Sequence, residues 1–262
     1  MTARYVALGS SMAAGPGIRP RADGAPWPSG RSARNYPHLV AAELNLDLVD
    51  VTYSGATTAN VLRDKQFGAP PQVDALDGTE ALVTVTIGGN DVGYVPLLTL
   101  ACLPWPVQFV PVLGHRIRSL RNRTARDQAL DDVAKSLQEV GETIRRRSPK
   151  ARVLFVDYLT VLPPAGRTAS PLSNEDADLG RHIAMTLERL TAEAAEDTGC
   201  ELVRDGDASR AHHAWSRDPW TTRFHLPLPR RPAPMHPNAA GMWAVAELVT
   251  THVGEGLQSW AP

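Results

Sequence analysis

Two serines stand side by side where an apolar run ends. Tyr5-Val6-Ala7-Leu8 gives way to Gly9-Ser10-Ser11, and Gly15 follows Ser11 by four residues. A serine hydroxyl is a weak nucleophile near neutral pH and needs a neighbouring base. It also needs donors aimed at the oxygen that becomes charged in a tetrahedral intermediate. The chain carries candidates for both. Ser54-Gly55-Ala56 and Gly88-Gly89-Asn90-Asp91 follow two further apolar runs, and Met235-His236-Pro237-Asn238 precedes the last helical pattern. The Ser11 N–H at a helix start, the Gly55 N–H and the Asn90 side-chain amide would supply three oxyanion donors, and His236 the base. Glycine suits the second position because substrate must approach the backbone closely. Each piece alone has an ordinary structural reading, as a turn, a strand end or a loop histidine. Their order, and the position of three of them at strand ends, makes the chemical case.

The elements that must position these groups are legible as a pattern. Strand candidates are Tyr5–Leu8, Leu46–Tyr53, Ala81–Ile87, Val153–Leu159 and Glu201–Arg204, separated by helical periodicity. That alternation argues for βαβ units and a parallel sheet, in which ligands bind beyond the carboxyl ends of the strands. Tyr36–Leu44 reads as a helix with Tyr36, Leu39, Val40 and Leu44 on one face. A longer one runs from Asp127 to Arg147 with its stripe at Leu130, Val133, Leu137, Val140 and Ile144. Ser173-Asn174-Glu175-Asp176 has a capping-box signature and opens a helix carrying Leu179, Ile183, Leu187 and Leu190. Gly241–Val249 forms the last helix. Gly15–Asn35 and Tyr94–Arg126 read as long irregular segments.

Four blocks in this order resemble the SGNH hydrolases, the GDSL esterases and lipases. Gly9-Ser10-Ser11, with Gly15 beyond, is similar to the family's first block, except that Ser10 stands where aspartate is usual. Gly55 matches the second block and Gly88-Gly89-Asn90-Asp91 the third. His236 matches the fourth, but Ala233 stands three residues before it where the family has an acid. The resemblance runs from Tyr5 to the helix after Gly241. It implies a three-layer α/β/α sandwich around a central, mainly parallel five-stranded sheet of flavodoxin-like order. It further implies a serine carboxylester hydrolase with Ser11 as nucleophile, His236 as general base, and an oxyanion hole from Ser11, Gly55 and Asn90. Ser10 is expected to bond locally. With the acid missing, the backbone carbonyl of Ala233, or one next to it, is expected to orient His236, as in related esterases with a Ser–His dyad; a substitute acid, Asp218, is the alternative. An acyltransferase and a non-catalytic binding module on the same scaffold are the alternatives.

The 262 residues suit one domain, 1–262, and the net charge of -1 offers no electrostatic case for nucleic acid. No apolar run is long enough for a transmembrane segment, and no signal peptide is read at the start, so the expectation is cytoplasmic. Cys102 and Cys200 read as inert buried thiols. The related secreted esterases have a cysteine near Trp215 and a half-cystine near Cys102, so the resemblance implies that their disulfides are lost here. No cofactor or metal is implied. The partner is a small-molecule ester or lipid. Tyr94–Leu113, with Trp105 and Phe109, would clasp an acyl chain or touch a membrane surface, with Arg116–Arg126 toward anionic headgroups; a packed loop beside a solvated basic helix start is the plainer reading. The tryptophans line a substrate pocket or pack in the core.

Overall fold

Along the first strand, β1 (Arg4–Gly9), Tyr5 and Ala7 enter one apolar cluster while Val6 and Leu8 enter another. All four are fully buried. A strand buried on both faces needs helices on both sides, which is the situation of a parallel sheet. The computed structural model, which describes residues 2–108, 110–226 and 231–258, has this arrangement. The other strands are β2 (Asp47–Asp50), β3 (Glu80–Thr86), β4 (Arg152–Val156) and β5 (Glu201–Val203). All neighbours pair in parallel, in the order β2-β1-β3-β4-β5. The chain reverses its direction of growth between β1 and β3, so the ends of these two strands flank the crevice where an open α/β sheet binds ligands.

The helices follow in chain order: α1 (Ser11–Ala14), α2 (Tyr36–Glu43), α3 (Thr58–Leu62), α4 (Tyr94–Ala101), α5 (Trp105–Gln108), α6 (Pro111–Arg121), α7 (Arg123–Arg147), α8 (Asn174–Asp197), α9 (Asp205–Ala208) and α10 (Ala239–Gln258). On one face, Val61, Leu97, Leu137, Ile144 and Ile183 from α3, α4, α7 and α8 cover Val6, Leu8, Val83 and Phe155. On the other, Tyr36 and Val40 of α2 and Met242 and Val249 of α10 cover Tyr5, Ala7, Leu154 and Val156. Burying a side chain such as Leu137 or Ile144 contributes roughly 1.5–3 kcal/mol. The five stripe positions read from the sequence of α7 are all buried, together with Gly141 and Thr143. Ser173 caps α8 by accepting from the Asp176 N–H at 3.0 Å. The α/β/α layering and the five-stranded parallel sheet are those the sequence resemblance implied.

One segment differs. Tyr94–Arg126 is not irregular but holds α4, α5, α6 and the start of α7. Pro96, Pro106 and Pro111 each fall in the first turn of a helix, where a missing N–H costs nothing. The prolines therefore open helices instead of breaking one. Asn122 then caps α7, accepting from Ala125 N–H at 3.0 Å, and the helix begins at Arg123, ahead of the expected Asp127. On α6, Ile117 and Leu120 are buried while Arg116 and Arg118 are exposed. Phe109, part of the proposed acyl clasp, lies outside the described residues. Gly15–Asn35 is largely irregular, with one short 3-10 turn at Trp27–Ser29. Among the described residues, no helix is long and apolar enough to cross a membrane.

Candidate active site

The end of β1 is shaped by a close approach. Gly9 has φ 140°, and a Cβ there would lie 2.5 Å from the Thr86 carbonyl oxygen at the end of β3. Only glycine lets the two strand ends run so near. Ser10 N–H then donates to that carbonyl at 2.9 Å, and the chain turns into α1 with Ser11 as its first residue. Gly15, in the left-handed region, closes the turn by donating to the Ser11 carbonyl. The Ser11 N–H belongs to the first turn and meets no acceptor among the described residues.

Ser11 Oγ lies 2.8 Å from His236 Nε2, although 225 residues separate them. The other ring nitrogen, Nδ1, lies 2.8 Å from the Pro234 carbonyl oxygen. A carbonyl only accepts, so Nδ1 carries the proton, and Nε2 is left as the acceptor facing the serine hydroxyl. Burial lowers the His236 pKa from its ordinary 6.5, and the carbonyl bond works in the opposite direction.

The carbonyl facing Nδ1 is therefore that of Pro234, the neighbour of Ala233 and not Ala233 itself. Met235 adopts φ 60° and is fully buried, and this reversal swings the imidazole back beneath Pro234. The Ala233 carbonyl instead accepts the Thr222 hydroxyl at 2.7 Å. Thr222 also takes the His236 carbonyl on its N–H at 2.9 Å and gives its own carbonyl to Met235 N–H at 3.1 Å. This clasp holds the histidine loop, and nothing in the sequence marked Thr222. Asp218, the substitute acid, is away from this ring: its carbonyl accepts from His212 Nδ1 at 2.8 Å. Both His236 nitrogens are already engaged.

Gly55 stands in a turn with φ 80°, strained for any side chain. Its N–H meets no acceptor among the described residues, and an added Cβ would meet only Gln66 Nε2, at 3.6 Å. The turn is held by Ser54 N–H to Ser29 O (2.9 Å) and Gln66 Nε2 to Ser54 O (2.9 Å). Asn90 reaches the same turn, donating one amide hydrogen to Ala56 O at 2.8 Å. The second hydrogen remains for another acceptor. Asp91 grips the adjacent helix start, accepting from Thr58 Oγ1 at 2.6 Å and Thr58 N at 3.1 Å. The Asn90-Asp91 pair thus clamps the Gly55 turn from the end of β3.

Ser10 does not bond locally. Its hydroxyl shares a 3.1 Å hydrogen bond with Tyr158, 148 residues away, and Tyr158 accepts the Gly89 N–H at 3.0 Å. Burial pushes the Tyr158 phenol up to about 12, so it stays protonated. One tyrosine joins the residue before Ser11 to the residue before Asn90. It also walls an apolar cavity of about 380 Å³ with Tyr94, Leu159, Val161, Leu162 and Leu187.

Behind these loops lie two carboxylates that the sequence reading missed. Asp157 and Asp205 follow β4 and β5 and are almost fully buried. They line a small cleft with Met12 and Pro237, the neighbours of Ser11 and His236. Gly206 N–H donates to Asp157 Oδ1 at 2.7 Å, whereas Asp157 Oδ2 and Asp205 Oδ1 have no partner among the described residues. Burial, reinforced by the nearby Glu188 and Asp207, pushes Asp157 from 3.8 up to about 7. Burial and Asp157 hold Asp205 well above the usual carboxylate range. A raised carboxylate pKa stabilises at low pH, and this contribution is lost as pH climbs from about 4 through 7. At high pH the Asp157 rise corresponds to a cost of up to about 4 kcal/mol. Asp157→Asn is therefore expected to flatten the fall of Tm between pH 5 and 8, leaving the variant several degrees above wild type at pH 8. Parallel Tm–pH curves for the two proteins would contradict it.

Both cysteines are free thiols; Cys102 is buried and pushed up to about 12 by burial, and Cys200 is half-buried. Trp220 stacks on His212 with centroids 4.0 Å apart, and Trp215 is bonded through Nε1 to Ser170 O at 3.1 Å.

Comparison with known proteins agrees with this architecture. The model of the GDSL-like lipase/acylhydrolase family matches residues 7–244. The chain is 34% identical over 252 residues to Lipase 2 of Streptomyces coelicolor, covering 94% of this chain and 84% of that protein. Among solved structures it is similar to phospholipase A1 from Streptomyces albidoflavus, with TM-score 0.78, 25% identity, and coverage of 97% of this chain and 99% of that one. It is also similar to an extracellular lipase from Streptomyces rimosus, with TM-score 0.76, 26% identity, and coverage of 96% and 99%. The chain belongs to the GDSL-like lipase/acylhydrolase family and is a carboxylester hydrolase of the serine type.

Proposed function

We propose that Ser11 and His236 work as a dyad in two-step ester hydrolysis, with the Pro234 carbonyl in place of a triad acid. The observation that carries this reading is the line from Pro234 O through Nδ1 and Nε2 to Ser11 Oγ, 2.8 Å at each step. His236 Nε2 takes the hydroxyl proton as Ser11 Oγ attacks the ester carbonyl carbon. Ser11 N–H, Gly55 N–H and the free Asn90 amide hydrogen stabilise the oxyanion. The imidazolium then protonates the leaving alcohol, and the acyl group stays on Ser11. Water, deprotonated by the same nitrogen, attacks the acyl-enzyme, the bond to Ser11 Oγ breaks as the imidazolium returns a proton to it, and the carboxylic acid is released. A carbonyl sets the tautomer as an acid would, but stabilises the imidazolium less, since charge-assisted hydrogen bonds are roughly twice as strong.

The apolar cavity beside Tyr158 supports an ester with an aliphatic acyl chain as substrate. The names of the relatives, lipase and phospholipase A1, support the same class. Hydrolysis of p-nitrophenyl esters of rising chain length tests this, together with a fluorophosphonate adduct located by peptide mass spectrometry. The expected result is turnover, with kcat/KM rising from acetate to medium chains, and the adduct on Ser11. An adduct on another residue, or inactivity on every ester, would overturn the proposal.

The pH profile gives an independent check. His236 must be neutral to accept the proton, and burial lowers its pKa. The acid limb of kcat/KM is therefore expected to have its midpoint below 6.5. A midpoint at or above that value would show that the buried geometry does not describe the working enzyme.

A further inference from the structure

Beside the apolar cavity, and sharing Pro163 and Pro164 with it, opens a second depression of about 480 Å³. It is lined by Arg167, Thr168, His213, Trp215 and Ser216, and none of these groups takes part in the proposed reaction. Its lining holds donors and no carboxylate. His213 Nδ1 accepts the Trp215 N–H at 3.1 Å. The neutral ring therefore carries its proton on Nε2, leaving Nε2–H as a donor. The exposed Arg167 side chain and the Arg223 guanidinium have no carboxylate partner among the described residues. Arg223 spends only Nε, on Ala214 O at 3.0 Å, and its guanidinium lies 5.8 Å over the Trp215 ring. Ser216 Oγ has no partner among the described residues.

The wall is held in place. Arg181 Nε donates to Pro163 O at 2.7 Å and Arg181 Nη2 to Arg167 O at 2.9 Å, tying down both ends of the turn that presents Arg167. Burial and the charges of Arg167 and Arg223 lower the His213 pKa, so both guanidiniums are felt at the imidazole. One uncompensated guanidinium, from Arg167, an imidazole N–H and hydroxyl-bearing side chains line the depression, and a second guanidinium, from Arg223, lies beside it against Trp215. Together they suit an anion with several acceptor oxygens.

We propose that this depression is an anion site for a phosphate group, either free phosphate or the phosphate of an amphiphile whose apolar part lies beyond the proline ridge. Only the amphiphile source rests on the esterase reading; the anion site stands without it.

The experiment has two arms, each run on the full-length chain. In the first, inorganic phosphate is titrated at constant ionic strength against chloride, read by Tm and by 31P line width. Wild type and Ser11→Ala are expected to gain about 3 °C or more at saturation, and Arg167→Gln and His213→Gln to lose the gain. In the second, hydrolysis of dihexanoylphosphatidylcholine is compared with that of p-nitrophenyl hexanoate. A headgroup site predicts about a tenfold rise in KM for the phospholipid alone in Arg167→Gln. A phosphate response without that rise assigns the site to free phosphate. The phosphate response is independent of turnover, so loss of esterase activity and loss of the anion site are separate results. Phosphate acting no differently from chloride, with both variants unchanged toward both esters, would overturn the proposal.

Discussion

Ser11→Ala and His236→Ala are each expected to lower kcat/KM by on the order of 10⁴- to 10⁶-fold, and the double variant to fall no further than the worse single one. The reason is the 2.8 Å contact between Oγ and Nε2. A hydroxyl without its base is a poor nucleophile, and a base without its nucleophile has nothing to activate. The two groups act as one unit, so their losses do not add. Residual rates in the variants would come from binding and the oxyanion donors alone. Stopped assays on one p-nitrophenyl ester, with all three variants checked for an unchanged Tm, make the measurement. Losses that multiply in the double variant would mean that serine and histidine serve separate steps. A His236→Ala enzyme within tenfold of wild type would mean that another base is at work.

Asn90→Ala is expected to cost roughly 100- to 1,000-fold, mostly in kcat. One amide hydrogen holds Ala56 O at 2.8 Å, so the other is oriented before substrate arrives. A donor placed in advance acts where charge develops and needs no reorganisation. The same bond ties the Gly55 turn to β3, so the alanine variant loses a donor and a tether together. Asp91→Asn separates the two effects: it weakens the grip on Thr58 but leaves the Asn90 amide in place. If Asn90→Ala keeps more than about a tenth of the wild-type kcat, Asn90 is not an oxyanion donor. If Asp91→Asn is as damaging as Asn90→Ala, the clamp matters more than the donor.

The departures from the family pattern find their explanation in long-range contacts. Where the family has an aspartate, Ser10 shares a hydrogen bond with Tyr158, which also receives Gly89 N–H. The neutral hydroxyl pair links the Ser11 turn to the Asn90 turn without introducing a charge beside Ser11. Where the family has an acid before the histidine, the chain has a backbone reversal at Met235 and a clasp from Thr222.

The sequence by itself determined the layers, the strand candidates and the four blocks, because these depend on local regularities. Period-two burial in β1 and the stripe of α7 are set by residues a few positions apart. The glycines at strand ends and the capping serine at 173 act over one turn of chain. Tertiary structure alone decided which carbonyl faces His236, what Ser10 binds and where the buried carboxylates lie. The shift from Ala233 to Pro234 depends on one positive φ, at Met235, which a methionine adopts only because its side chain is locked in the core. Tyr158 and Ser10 are 148 residues apart, and Asp157 and Asp205 meet only because β4 and β5 end side by side. The helices of Tyr94–Arg126 were hidden for the opposite reason. Proline reads as a breaker until its place within the first turn is known, and that place is fixed by what each helix packs against.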